Sequence, residues 1–183
     1  MATTLVTARL RLREWCDDDA GAFAAMSADP VMTEYLVPFP DRAAMDGWVT
    51  AARDHWRQCG FGKFVVELPG EAAFIGVVGL EHVHFDVPFV PAIEAVWRLA
   101  PAYWGQGYAL EAARAAVEDG FGRLGIDEIV AFTVVDNRRS RRVMERLGMT
   151  RNSSEDFDFL HPRLPAGHPL CRHVLYRLRR PSP

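Results

Sequence analysis

Lysine is nearly missing from these 183 residues: Lys63 is the only one among 21 basic side chains. A Walker-type phosphate loop needs Gly-Lys-Ser/Thr, so that class of nucleotide site is excluded. The other basic residues are arginines, a bias we read as codon composition before function. With a formal net charge of -3 there is no sign of an electrostatic nucleic-acid binder. No apolar run approaches the roughly 20 residues of a membrane span, so no membrane partner is expected. The opening, Met-Ala-Thr-Thr-Leu-Val-Thr-Ala-Arg, lacks a basic start followed by an apolar run, and no signal peptide is expected. Cys16, Cys59 and Cys171 are odd in number, far apart and outside any Cys-x-x-Cys pattern. They read as reduced thiols of a cytoplasmic protein. Repeats, linkers and low-complexity stretches are also missing, so one domain over residues 1–183 is expected.

The most informative stretch is residues 95–125. Ala-Val-Trp-Arg-Leu is rich in strand formers, and Pro101 ends regular pairing. A Gly105-Gln-Gly107 turn follows. From Ala109, apolar residues at 113, 116, 117, 120, 121 and 124 recur at helical spacing. Strand, glycine turn and helix together aim free backbone N–H groups and a positive helix end at an anion. A dinucleotide fingerprint would need a third glycine where Leu110 stands, which excludes that variant.

Trp104-Gly-Gln-Gly-Tyr-Ala109 resembles the acyl-CoA motif of the GCN5-related N-acetyltransferases (GNAT), Gln/Arg-x-x-Gly-x-Gly/Ala, departing only at Trp104. Tyr103 to Ala112 is similar to the branch that contains the ribosomal-protein N-terminal acetyltransferases. The opening Thr-Ala-Arg-Leu-Arg-Leu-Arg-Glu-Trp and a second segment, Asn137-x-x-Ser140 followed by Leu-Gly-Met, resemble the same branch. The resemblance covers nearly the whole chain.

The rest of the chain reads as alternating helices and strands. Leu10 and Leu12 alternate with arginines, predicting a half-exposed strand over residues 7–15. Helices are expected over 18–27 and 42–58, the second capped by Asp41, with Met45, Trp48, Val49, Ala52 and Trp56 inward. Strands follow at 63–68 and 73–80 around a Pro-Gly turn, then at 91–99 and 127–134. The last two, joined by a helical crossover, are expected to lie parallel. The final strand begins near Arg172. His82 and His84 share a strand face, but with only Asp86 nearby a metal site lacks ligands, and no metal is expected.

The resemblance implies an α/β (α+β layered) fold. Its mixed sheet of six to seven strands carries helices on both faces and a splayed parallel pair that holds acyl-CoA. It implies acetyl-CoA as co-substrate and direct transfer to a primary amine, on a protein N-terminus or a small molecule. Backbone groups of Trp104, Gly105, Gln106, Gly107, Tyr108, Ala109 and Leu110 would hold the diphosphate. Val96, Trp97, Arg98 and Leu99 would pair with pantetheine like an extra strand. Asn137 would bond the pantetheine arm, and Arg142 or Arg139 would reach a phosphate. A helix cap is the plainer reading of Asn137 and Ser140.

Many members of the family protonate the leaving thiolate with a tyrosine some seven positions after that asparagine. Here Met144 lies in that region, which leaves Ser140 as acid. Glu94 is the favoured base, with Glu81 or no dedicated base as alternatives. Tyr35, Phe39 and Glu81 would line the acceptor side. A homodimer is compatible with all of this. A catalytically silent acyl-CoA sensor and a flavin or nucleotide binder stay open.

Overall fold

The computed structural model describes residues 3–165 and 167–181. The expected first strand is shorter than its alternation suggests. Thr7 N–H donates to the Leu10 carbonyl at 2.9 Å, so a turn separates β1 (Leu5–Val6) from β2 (Arg11–Arg13). The alternation still holds, because Leu10 and Leu12 are fully buried.

Helix α1 (Asp19–Ser27) is tied to β2 through Asp19, which accepts from Arg13 Nη1 and from Cys16 N–H, each at 2.7 Å. Helix α2 (Arg42–Cys59) starts where expected, with Asp41 Oδ1 accepting from Ala44 N–H at 2.8 Å. It stops at Gly60, whose φ of 72° closes the last turn. Trp15 and Trp56 both donate their indole N–H to the Lys63 carbonyl, at 2.8 and 2.9 Å. This ties α2 and the end of the first arm to the sheet at one buried point.

Strands β3 (Lys63–Leu68), β4 (Ala72–His82) and β5 (Ile93–Leu99) form an antiparallel meander. Helix α3 (Tyr108–Gly122) crosses over to β6 (Glu128–Val134), which lies parallel to β5 as predicted. Helix α4 (Arg138–Arg146) follows, and then the short β7 (Thr150–Arg151) and β8 (Phe157–Asp158). Both of these pair with β9 (Arg172–Arg179), which lies antiparallel to β6. Among the described residues the result is one sheet of nine strands, in the order β1-β2-β3-β4-β5-β6-β9-β7 with β8 on β9. Three strands of only two residues account for the excess over the six or seven expected.

Two features of this sheet position the site. β5 and β6 are paired only at Ile93–Ile129 and Glu94–Val130, so beyond Glu94 the two strands part. Residues 95–99 then offer one free backbone edge. Above it, α3 lies very close to the sheet at Gly120, where a Cβ would come within 2.6 Å of Leu80 Cδ1. Its buried stripe, Ala112, Ala113, Ala116 and Val117, is made of small side chains that permit this approach. Among the described residues no helix is long and apolar enough to cross a membrane.

Candidate active site

The parting of β5 and β6 opens into a cavity of about 560 Å³. Its floor is the free edge of β5, with Glu94, Val96, Trp97, Arg98 and Leu99 on the wall. One end is the turn into α3. Gly105 and Gly107 have φ of 75° and 85°, a left-handed backbone that suits glycine. Helix α3 begins at Tyr108, and the first intrahelical bond into this turn is Glu111 N–H to the Gly107 carbonyl at 3.0 Å. The N–H groups ahead of Glu111 have no intrahelical acceptor and carry the positive end of the helix. Trp104, Tyr108, Ala109 and Leu110 line the cavity beside them.

Gln106 faces elsewhere. With Arg9, Arg114 and Arg146 it borders a second hollow of about 600 Å³ outside the same turn, which shares Gly105, Gly107, Leu110 and Arg146 with the first. Arg9 braces the turn from the distant N-terminal arm. Its Nη1 donates to the Gln106 carbonyl at 3.0 Å, it pairs with Glu111, and it lies 4.5 Å above the Tyr108 ring.

Asn137 caps α4. Its Oδ1 accepts from Ser140 N–H at 3.1 Å, and its Nδ2 donates to Thr133 Oγ1 at 3.0 Å. The plainer reading is therefore what its side chain does, although the residue also borders the cavity. Ser140, Arg142 and Arg146 come from the same helix to the same wall. Arg139 is committed to Glu34 and covers Trp104 at 4.5 Å, whereas Arg142 and Arg146 line the cavity with no ion pair among the described residues.

Opposite the turn, the wall is charged. Glu81 and Glu94 face each other across β4 and β5, and Arg98 shares their face of the sheet. Glu81 is ion-paired with Lys63, which is only 5% exposed and lies 4.3 Å over the Trp48 ring. Burial lowers the Lys63 pKa, with Glu81 acting against that. Burial, then the neighbouring Glu81 charge, pushes Glu94 well above the usual carboxylate range. Among the described residues Glu94 makes no side-chain hydrogen bond. A carboxylate spoken for by lysine is a poor base, whereas Glu94 is free and made more basic by its surroundings.

Tyr35 lines the cavity as expected, but Phe39 does not reach it. Phe39 packs edge-on against Phe23 and Trp48, at 6.0 and 6.5 Å, because the larger gain is in the aromatic core under α1 and α2. Wall residues that the sequence did not single out include Phe85, Tyr103, Phe132, Thr133 and His173. Phe132 joins Phe85 at 5.7 Å and His173 at 6.0 Å, bringing three distant segments together. His173 Nδ1 donates to the Cys171 carbonyl at 2.9 Å, and burial lowers its pKa, which favours the neutral ring. A sequence signal that points to His173 is the long segment between β8 and β9, which exceeds the usual connection.

Residues 9–150 match the family description "Acetyltransferase (GNAT) domain". The chain belongs to the GNAT acetyltransferase family. An uncharacterized protein, YkkB, of Bacillus subtilis is 31% identical over 148 residues, 80% of this chain and 85% of that one. A GNAT-type fold is also shared with an acetyltransferase from Agrobacterium tumefaciens, at 28% identity and a TM-score of 0.77 over 97% and 95% of the two chains. A ribosomal-protein-S5-alanine acetyltransferase from Vibrio fischeri has the same fold, at 19% identity and a TM-score of 0.75 over 97% and 96%.

Proposed function

We propose that this GNAT protein is an acetyl-CoA-dependent N-acetyltransferase that moves the acetyl group directly from the thioester to a primary amine. The observation that carries the reading is the parting of β5 and β6 at Glu94, with an anion-binding helix start at one end and an unpaired carboxylate at the other. The N–H groups from Gly107 to Leu110 hold the diphosphate, with Arg142 as a charged partner. The free edge of β5 pairs with the pantetheine amides, and a main-chain N–H there faces the oxyanion. Trp104 and Tyr108 close the sides. Asn137 holds the start of α4, and with it Ser140, against that edge.

In the reaction the ammonium proton of the acceptor passes to Glu94, directly or through water. The neutral amine forms the new C–N bond and the C–S bond breaks; Ser140 gives the departing thiolate its hydroxyl proton and regains one from the nitrogen, which turned positive as the C–N bond formed. An α-amine with a pKa of about 8 needs less help than a lysine at about 10.4, so a single raised carboxylate suffices. Tyr35 and the Phe85–Phe132–His173 corner bound the space left for the acceptor, with Glu81 set back beside Lys63.

Thermal melting with acetyl-CoA, CoA, NAD, FAD and ATP in parallel tests the donor. At 100 times its Kd, a ligand of the folded state adds about 2.7 kcal/mol. A shift with acetyl-CoA and CoA, and none with the others, is expected, followed by thiol release when amines are screened. Melting that responds to FAD or ATP instead would overturn the reading. Donor binding with no thiol release from any amine would leave a silent acyl-CoA sensor.

A further inference from the structure

Behind the charged wall, on the opposite face of β4, three metal-ligating side chains meet. His55 and Cys59 are four residues apart and therefore on one face of the last turns of α2. His82 ends β4, and strand alternation turns it away from Glu81. His55 Nε2 lies 3.1 Å from His82 Nδ1, and Cys59 Sγ lies 3.8 Å from the same nitrogen. The three ligand atoms are all within 4.8 Å of one another.

The spacing fits one tetrahedral ion. Bonds of about 2.0–2.1 Å to nitrogen and ~2.3 Å to sulfur would place two nitrogens about 3.3 Å apart, and nitrogen and sulfur about 3.6 Å apart. The tautomer fits as well. A carbonyl can only accept, so His55 Nδ1, 2.8 Å from the Phe61 carbonyl, carries the proton. The lone pair of His55 is therefore on Nε2, facing the other two ligands. Donation of the second ring nitrogen to a backbone carbonyl is also the usual way a metal-binding histidine is oriented. His84 is exposed, with its ring 5.8 Å from that of His55 and 6.1 Å from that of His82, close enough to take the fourth position in place of water.

We propose that His55, Cys59 and His82 form a binding site for a divalent transition cation of the zinc type, which clamps the end of α2 to the end of β4. Mixed imidazole and thiolate donors suit zinc and disfavour calcium or magnesium. On coordination the Cys59 thiol becomes a thiolate and its proton leaves to solvent. The His82 N–H, which donates to His55 Nε2 at 3.2 Å, gives up that acceptor to the metal. The cation touches neither the free edge of β5 nor the start of α3, so the site stands or falls independently of acetyl transfer.

The test is Zn2+ titration of the intact chain against a chromophoric chelator, with Cys59→Ser and His82→Gln beside the wild type. One Zn2+ per chain is expected. Each substitution should weaken it more than about 100-fold, beyond the ~10–100-fold typical of losing an outer-shell partner. Metal-free melting shows whether each variant is folded. If either is not, Co2+ added to the wild type decides, since a tetrahedral thiolate site gives visible d–d absorption and a sulfur-to-metal charge-transfer band. Absence of stoichiometric Zn2+ binding by the wild type, affinity unchanged in both folded variants, or a Co2+ spectrum without the thiolate band would overturn the proposal.

Discussion

Where α3 begins, the cavity offers backbone: N–H groups held by two glycines in a left-handed conformation and a helix end. Where β4 ends and β5 begins, it offers side chains, with Glu94 free, Glu81 bound to Lys63, and an aromatic corner from three segments. The first end comes from one short stretch, residues 103–110. The second draws on residues between Tyr35 and His173. A ligand part common to a whole family can be held by main chain, whose geometry is local. An acceptor that differs between members must be met by side chains, which the fold gathers from far apart.

This contrast can be broken by experiment at either end. The largest effect is expected from Glu94→Gln. Loss of a general base lowers turnover by about 10²–10⁴-fold, while acetyl-CoA affinity in calorimetry stays near wild type. On the proposed mechanism the active form of Glu94 is the carboxylate, and burial raises its pKa. The rate should therefore climb with pH above the ordinary carboxylate range, and Glu94→Gln should lose that limb. A variant that keeps the limb would move the base to His173 or to water.

Next in size is Gly107→Val at the other end. A Cβ there meets only Arg9 Nη2, at 3.5 Å, so crowding within the protein is not the problem. The φ of 85° is, and a β-branched residue resists it by more than the ~1–2 kcal/mol of other side chains. Acetyl-CoA should bind at least ~10-fold more weakly by calorimetry; unchanged affinity would remove the diphosphate from this turn.

Ser140→Ala should lower turnover about tenfold without changing donor affinity, because a thiolate with a pKa near ~8.5 leaves with little help. A wild-type rate would take Ser140 out of the mechanism. The smallest effect belongs to Asn137→Ser, which keeps a capping side chain. Stability in urea should fall by less than about 0.5 kcal/mol. A severalfold loss of acetyl-CoA affinity in the same variant would show that the amide does more than cap.

Reading along the chain reached the glycine turn and the start of α3 because their determinants are short-range. The expected order of helices and strands also held, since Asp41, Gly60 and the small-residue stripe of α3 act within one or two turns. The same reading shortened poorly where a local bond intervened, as at Thr7 and Leu10, which turn the chain before β2 begins. It placed Phe39 on the acceptor wall, although that side chain has better company in Phe23 and Trp48. It also weighed His82 and His84 with Asp86 as the only further ligand, because His55 and Cys59 are more than twenty residues upstream of His82.

By itself, then, the order of residues determined the glycine turn, the helix that follows it and the parallel crossover, all of which rest on backbone preferences and periodicity. Tertiary structure decided which carboxylate is free and which is paired. It also decided which aromatic residues face the cavity and that two turns of α2 meet the end of β4. Those outcomes depend on burial and on partners brought close by packing, and neither quantity is a property of neighbouring residues in a chain.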